Sequence, residues 1–332
     1  MNGIDMQYSI WMNSKNRNSD GWKKDFAKLR KAGISNVFLS GNMEDIENAL
    51  KFSNDFNLNV HNWIFTMICN DEEIIKHHPD WFTVNGLGER SCDKPQYVGY
   101  YKWLCPTNPE VQEFLLDRVE SLYQISELAG VHLDYIRYCD VILPKALQPN
   151  YNLVQTREEP QFDYCYCEHC RSAFKSRSGI DPLELKNPSE NQEWLQFRYD
   201  SISNIVTMLK TKIHQYNKKI TAAVFPTIMQ QNVRQVWHKW DLDAVYPMLY
   251  HSLYGQGLAW IEEETRKGKS LLKSTKLNSG LYIPAIKPNE LVQVIKAAKD
   301  GGADGVSLFD FNAMKDEHWD ELNPTNPLYK LN

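Results

Sequence analysis

Strand-like and helix-like segments alternate along nearly the whole of this 332-residue chain. Short runs rich in β-branched and aromatic residues predict strands, and the amphipathic runs that follow them predict helices. The predicted strands are 7–13, 35–42, 58–67, 130–138, 219–227, 242–251, 278–286 and 303–311. Alternation of this kind predicts a parallel sheet with helical crossovers. Eight strand–helix units predict a closed (β/α)8 barrel, the TIM-barrel class of α/β fold.

The predicted helices occupy 19–34, 43–56, 109–126, 193–217, 228–240, 258–272 and 288–300, with a short helix after the last strand. Two connections are too long to be plain loops, and we expect both to be functional insertions: 68–107 after the third strand and 139–190 after the fourth. A doubly wound open sheet is the alternative, but no G-x-G-x-x-G or P-loop sequence follows the first strand. We expect residues 1–332 to form one domain.

Composition excludes several classes of partner. The net charge is -5 and no basic stripe is present, which argues against nucleic acid. No apolar run has the length of a membrane span. The start, MNGIDMQYSI, lacks the pattern of a signal peptide. The sequence as written therefore predicts a cytoplasmic protein, or a secreted or periplasmic one if a leader has been removed.

The fourth predicted strand, GVHLDYIRY, is apolar for most of its length and ends in Asp134 and Arg137. Charged side chains are costly to bury, so a pair at this position needs a reason. An ion pair that holds a loop is one explanation. An active site is the other, because TIM-barrel enzymes place their chemistry at the carboxyl ends of the strands. In the second case Arg137 is expected to lower the pKa of Asp134 and keep it ionised.

Other polar and aromatic residues fall near the predicted strand ends. His132 lies two residues before Asp134 and therefore points to the same side of the strand. Such a set suits a polyol ligand, with polar groups on hydroxyls and aromatic faces on sugar rings. The expected pocket residues are Trp11, His61, Trp63, His132, Tyr246, Tyr250 and His251. For His61 and His132, a buried and hydrogen-bonded core histidine is the alternative.

Glycoside hydrolysis usually needs two carboxyl groups, one protonated and one ionised. Asp310, near the end of the eighth strand, is the second candidate beside Asp134, although it lies four strands away around the barrel. Its alternative role is a hydrogen bond to the barrel rim. The loop residues Glu158, Glu159, Asp71 and Glu72 are further candidates for the second carboxylate.

The sequence CYCEHC places Cys165, Cys167 and Cys170 at C-x-C-x-x-C spacing. Zinc prefers four nitrogen or sulfur ligands, so closely spaced thiolates predict a zinc site. Cys105 is the expected fourth ligand, with His169 as the alternative. Reduced thiols in a loop, or one disulfide, would also fit the pattern. A site with four thiolates would be structural and would stabilise the second insertion.

GVHLDYIRY, WLCPTNPEV, FDYCYCEHCRSAF, AVYPMLYH and GVSLFDF resemble segments of the glycoside-hydrolase-like (β/α)8 barrel proteins of polysaccharide-degrading bacteria. The cysteine arrangement is similar to the zinc cluster of glycoside hydrolase family 42 β-galactosidases, and Cys105, Cys165, Cys167 and Cys170 match it. The chain lacks that family's Asn-Glu pair after the fourth strand. In a looser likeness to chitinases, Ile136 stands where those enzymes have their acid Glu. The catalytic pair of neither family therefore carries over.

These observations together predict a barrel that hydrolyses an oligo- or polysaccharide, with Asp134 and Asp310 as carboxylates and Arg137 as an orienting or substrate-binding group. No organic cofactor is expected. A carbohydrate-binding barrel without catalysis is the first alternative, favoured by the lack of an obvious second carboxylate. A metal-dependent hydrolase of another bond is the second, but four cysteines are too many for an open catalytic site.

Overall fold

The computed structural model describes residues 6–15, 17–123 and 125–322. In this part of the chain eight parallel strands form a closed barrel in sequence order. The strands are β1 Gln7–Asn13, β2 Asn36–Ser40, β3 Asn59–Phe65, β4 Gly130–Asp134, β5 Lys219–Val224, β6 Ala244–Pro247, β7 Lys276–Tyr282 and β8 Gly305–Phe309. The barrel closes where β1 pairs with β8, from Gln7 opposite Gly305 to Ile10 opposite Leu308. The predicted (β/α)8 fold is therefore confirmed.

Helices surround the barrel. They are α1 Ser19–Lys31, α2 Met43–Ser53, α3 Glu72–His77, α4 Pro109–Tyr123, α5 Glu168–Ser178, α6 Gln192–His214, α7 Ala259–Leu271, α8 Leu291–Asp300 and α9 Asp316–Glu321. Asparagine or aspartate side chains cap the first turns of α1, α2, α3 and α6 by accepting backbone N–H groups. No helix among the described residues combines the length and the apolar character that a membrane span requires.

Alternate residues of each strand face either the helices or the barrel interior. Ile10 and Met12 of β1 belong to the large apolar core between the strands and the helices. Trp11, Phe38, Ala223 and similar residues fill the interior as a separate buried cluster. The barrel is thus packed through its middle and leaves space for a ligand only near its carboxyl end.

Two long connections cover that end, one between β3 and α4 and one between β4 and α6. A backbone bridge from Asn85 to Tyr164 joins the two. In the second connection Asp163 is buried and accepts hydrogen bonds from Arg198 of α6, from Arg234 at 3.1 Å and from the Tyr166 hydroxyl at 2.7 Å. Two guanidinium groups and a hydroxyl compensate this buried carboxylate and join the insertion to the barrel wall.

The prediction of a helix over residues 228–240 is wrong. Of this segment only 3-10 turns at Thr227–Met229 and Trp237–Lys239 are helical. The intervening backbone pairs with the second insertion instead, because Tyr138 N–H donates to Val233 O at 3.2 Å and Val141 N–H donates to Asn232 O at 2.9 Å. Tertiary contacts with the insertion here override the local apolar pattern.

We predict that Gly130→Ala destabilises the barrel strongly. A Cβ atom at Gly130 would lie 2.2 Å from the carbonyl oxygen of Lys219 and 2.9 Å from His61 Nδ1. Because the first of these is backbone of the paired strand, the sheet itself would have to move. We expect a loss of about 1–3 kcal/mol in the free energy of unfolding, measured by denaturant titration. Gly257→Ala is the control, since no atom lies within 4 Å of its Cβ position. Equal stabilities for the two variants would contradict this account of the packing.

Candidate active site

A cavity of about 260 Å³ opens at the carboxyl end of the barrel. Strand ends form its base, and the two insertions form much of its wall. Its lining is mostly aromatic, with two carboxylates and one guanidinium among the described residues. The lining consists of Trp11, Trp63, Phe65, Tyr97, Tyr101, Asp134, Tyr135, Arg137, Asp140, Leu143, Pro144, Leu147, Tyr151, Ala223, Phe225, Met248, Tyr250, Leu253, Tyr254 and Phe309. Such a cavity, apolar with a few convergent polar groups, is typical of a small-molecule site.

Asp134 is the last residue of β4 and is half-buried at the base of the cavity. The strand ends here, four residues earlier than predicted, because Tyr135 has a φ of 50°, in the left-handed region. One carboxylate oxygen of Asp134 accepts the Trp63 indole N–H at 2.9 Å, and the other accepts the Tyr135 backbone N–H at 2.7 Å. These two donors fix the orientation of the carboxyl group in the cavity.

The pKa of Asp134 is raised, because burial outweighs the opposing effects of the Trp63 and Tyr135 donors and of the Arg137 charge. The expectation that Asp134 has a lowered pKa is therefore wrong, although the Arg137 charge does act in the lowering direction. The reason is geometric: Arg137 donates to Asp140 Oδ2 at 2.8 Å and to the Tyr138 carbonyl at 2.8 Å, and so forms its ion pair with Asp140.

The Arg137 guanidinium is buried among aromatic rings. Its carbon lies 4.6 Å from the ring centre of Phe225, 4.8 Å from Trp103 and 5.5 Å from Tyr135. Burial alone would lower the pKa of Arg137, but Asp140 and the neighbouring tyrosines raise it above its ordinary value. The group is thus permanently charged, and Asp140 is the carboxylate that compensates it.

Asp140 is a cavity residue that the sequence analysis missed. It is buried, and it lies six residues after Asp134 in the run DYIRYCD. The sequence signal that could have identified Asp140 is that it is a second acidic residue close to Arg137. It was overlooked because it falls in the insertion and not on a predicted strand. The aromatic wall residues Tyr97, Tyr101 and Tyr151 were missed for the same reason, and Tyr254 was missed because it lies in the turn after β6.

Several expected site residues lie below the cavity, in the filled barrel interior. His132 accepts the Trp11 indole N–H at 3.0 Å, contacts Thr221 Oγ1 at 2.8 Å and stacks on Phe38 with ring centres 3.8 Å apart. Burial lowers the pKa of His132 far below its ordinary value and that of His61 to about 4. His61, His132 and Tyr246 are core residues here, and His132 acts by supporting Trp11, whose ring forms part of the cavity base.

Asp310 and His251 are not part of the cavity lining. The Asp310 carboxylate accepts the Ala313 backbone N–H at 3.1 Å and caps the turn after β8. Of the expected pocket residues, the structure brings together Trp11, Trp63, Asp134, Arg137 and Tyr250.

The four loop acids considered as second carboxylates also lie elsewhere. Glu158 pairs with Arg234, and Glu158 and Glu159 line a separate cavity of about 160 Å³. Asp71 caps α3, and Glu72 is exposed.

Four cysteines from the two insertions converge. Cys105, Cys165, Cys167 and Cys170 are buried, and their Sγ atoms all lie within 4.8 Å of one another. Cys105 Sγ is 3.3 Å from Cys167 Sγ and 3.6 Å from Cys170 Sγ. A tetrahedral zinc–thiolate site with bonds of about 2.3 Å has sulfurs about 3.8 Å apart, so the four positions fit a metal ion. His169 is not part of this cluster.

Polar groups next to the sulfurs also fit a metal site. The Val84 backbone N–H donates to Cys165 Sγ at 3.4 Å, and Thr107 Oγ1 lies 3.0 Å from Cys170 Sγ and 3.2 Å from Cys105 Sγ. Hydrogen bonds of this kind stabilise thiolates and orient metal ligands. The cluster connects Cys105, four residues after the cavity residue Tyr101, with the loop that precedes α5.

Solved structures share this architecture. A β-galactosidase from Bacillus circulans sp. alkalophilus superimposes with a TM-score of 0.66 at 14% identity, over 92% of this chain and 50% of that one. A β-galactosidase from the psychrophilic Marinomonas ef1 gives 0.69 at 11%, over 96% and 58%. The glycoside hydrolase domain of PelA from Pseudomonas aeruginosa gives 0.53 at 9%, over 93% and 96%. The chain thus spans about half the length of these β-galactosidases, and at such identities the likeness is one of fold. No curated protein matches the chain.

A family model covers most of the barrel. The model described as glycosyl hydrolase-like 10 matches residues 22–267, which include β2 to β6, both insertions, the cysteine cluster and both cavity carboxylates. The agreement of this match with the closed barrel and its cavity identifies the chain as a member of the glycosyl hydrolase-like 10 family.

Proposed function

We propose that the protein is a glycoside hydrolase that acts on an oligo- or polysaccharide, with Asp134 as an essential carboxylate. The observation that carries this proposal is a half-buried carboxyl group of raised pKa at the base of an aromatic cavity. The family and the glycosidase structures that share the fold support the same class of reaction.

The environment of Asp134 favours a role as proton donor. A glycosidic oxygen must be protonated as its bond to the sugar breaks, and a carboxyl group of raised pKa keeps the proton needed for this step. The role of proton donor replaces the ionised role that the sequence suggested for Asp134. Trp11, Trp63 and Tyr250 offer ring faces and edges for the apolar side of a sugar, and the Trp63 donor keeps Asp134 directed into the cavity.

The first test is Asp134→Asn, which keeps the shape of the side chain but removes the proton. We expect turnover of the best glycoside substrate to fall by about 10²–10⁴-fold, the usual contribution of a general acid. The melting temperature at pH 7 should change little, because asparagine carries no charge for burial to penalise. Turnover is measured by release of reducing sugar, and folding by thermal unfolding.

Asp304→Asn is the matched control. Asp304 is also a partly buried carboxylate that accepts a backbone N–H, from Leu277 at 2.8 Å, but it precedes β8 at the opposite end of the barrel. This variant should lose stability and keep its turnover. If Asp134→Asn behaves in the same way, Asp134 is a scaffold residue. If wild-type protein binds sugars and cleaves none in a broad panel, the carbohydrate-binding alternative replaces the hydrolase.

The second test is the pH dependence of kcat/KM. An acid must be protonated to act, so activity should be present at low pH and should fall as pH rises through the pKa of Asp134. That pKa lies above the ordinary value of about 3.9 for aspartate, because burial disfavours the ionised form. The fall should disappear in Asp134→Asn. A wild-type profile that rises through this range would mean that Asp134 acts ionised.

We also propose that Cys105, Cys165, Cys167 and Cys170 hold one structural zinc ion. Four thiolates leave no open position for substrate, so the ion would stabilise the two insertions and take no part in the reaction. Its contribution would be to fold the loops that carry the wall of the cavity.

Metal analysis of protein purified without added zinc should therefore find about one equivalent of zinc per chain. Cys167→Ser should lose the metal and about 4 kcal/mol or more of unfolding free energy. Cys92→Ser is the control, because Cys92 is also buried but lies outside the cluster. Equal zinc content in the two variants, or stability unaffected by a strong chelator, would rule out the structural zinc site.

A further inference from the structure

We infer that Asp140 is the second catalytic carboxylate, the one that stays ionised during the reaction. This inference rests on the proposed glycosidase function and assigns the group that the mechanism still lacks. Among the described residues that line the cavity, only Asp134 and Asp140 carry a carboxyl group. A reaction that needs two such groups in this cavity has no other pair available there.

The structure holds Asp140 rigidly in place. Its Oδ2 atom accepts the Arg137 guanidinium at 2.8 Å, and its backbone carbonyl accepts the Tyr97 hydroxyl at 2.8 Å. Tyr97 in turn accepts the Gln155 side-chain amide at 3.0 Å. These contacts come from three different segments, so the carboxylate has the fixed position that a catalytic group requires.

Arg137 and Asp140 form a buried ion pair. The guanidinium is 4% exposed, and the rings of Phe225, Trp103 and Tyr135 take the place of water around it. A buried cation without a counterion is very unfavourable, so Arg137 requires Asp140 as its counter-charge. The geometry of this ion pair is therefore the observation that assigns Asp140 the role of the negative group.

The environments of Asp134 and Asp140 differ in the way that acid and base roles require. Asp134 is paired with neutral donors, the Trp63 indole and the Tyr135 backbone N–H, whereas Asp140 is paired with a cation. Two carboxyl groups in surroundings that differ in this way are the usual signature of a glycosidase pair.

The proposed reaction moves one proton from Asp134 to the leaving group and consumes one water molecule. Asp134 gives its proton to the glycosidic oxygen while the bond from that oxygen to the anomeric carbon breaks, and the electron pair of the bond stays with the departing oxygen. The positive charge that develops on the sugar faces the Asp140 carboxylate. A water molecule then supplies the oxygen that ends on the anomeric carbon. The proton that this water loses returns to the carboxyl pair, which again holds one proton.

The test compares two leaving groups in two variants. Asp134→Asn should be severely impaired on an ordinary glycoside but should keep most of its activity on an aryl glycoside with a strongly acidic phenol, because that leaving group needs no proton. Asp140→Asn should lose at least about 10²-fold on both substrates, because the charge on the sugar is left without its counter-charge in either case. Both rates are measured as kcat/KM beside the melting temperature.

A purely structural role of Asp140 predicts a different pattern, which two further variants reveal. Asp140→Ala leaves space for a small anion, and sodium azide should restore turnover of the aryl glycoside and give a glycosyl azide product. The double variant Arg137→Gln, Asp140→Asn removes both charges of the pair. Its melting temperature should recover relative to Asp140→Asn alone, while its activity stays low.

The outcomes separate this inference from the proposed function. If Asp134→Asn is impaired and Asp140→Asn is folded and fully active on both substrates, Asp140 is not catalytic and the glycosidase function remains. If azide restores nothing and the double variant regains activity with its stability, Asp140 only supports Arg137. If wild-type protein cleaves no glycoside, the proposed function fails and the role of Asp140 fails with it.

Discussion

Closure of the sheet is the constraint on which the rest of the structure depends. β1 pairs with β2 on one side and with β8 on the other, so the strands have no free edge and all carboxyl ends surround one volume. Trp11 from β1 and Phe309 from β8 therefore come together, with ring centres 5.9 Å apart, although nearly 300 residues separate them. In an open sheet of the same strand order these residues would lie at opposite edges, and the cavity would not exist.

The barrel was predictable because its signal is local and repeated. Each strand is a short apolar run, and each helix has an apolar face and, in several cases, an asparagine or aspartate cap, so few residues are needed to recognise either. The failures occur where contacts between distant segments decide the conformation. Residues 228–240 have a helical apolar pattern but pair with residues 138–141 of the insertion. Strand β4 ends early because Tyr135 adopts a left-handed backbone conformation, which could not be predicted from the sequence.

The candidate site was predictable mainly in the part formed by the strand ends and by residues just beyond them, such as Arg137 and Tyr250. Trp11, Trp63 and Asp134 follow from position, because strand ends converge in any closed barrel. The sequence does not predict which carboxylate pairs with Arg137, since Asp134 and Asp140 are both near it in sequence. Only the path of the backbone decides between them. The inward-facing His61 and His132 illustrate a further limit: the alternation of a strand gives the direction of a side chain but not its depth in the barrel. The cysteine cluster was an easier case, because three of its cysteines lie within six residues and the fourth precedes a helix start.

The filled barrel interior also determines how a ligand can move. Below the cavity, the Trp11 indole donates a hydrogen bond to His132. His132 in turn contacts Thr221 and stacks on the face of Phe38. The described side chains of this layer are closely packed, so a molecule bound against Trp11 enters and departs on the same side, past the tyrosines and Pro144 of the two insertions. Exchange of the contents of the cavity is then governed by how far those insertions can separate. The contacts that restrain them, remote from any reacting bond, influence the rate at which one ligand replaces the next.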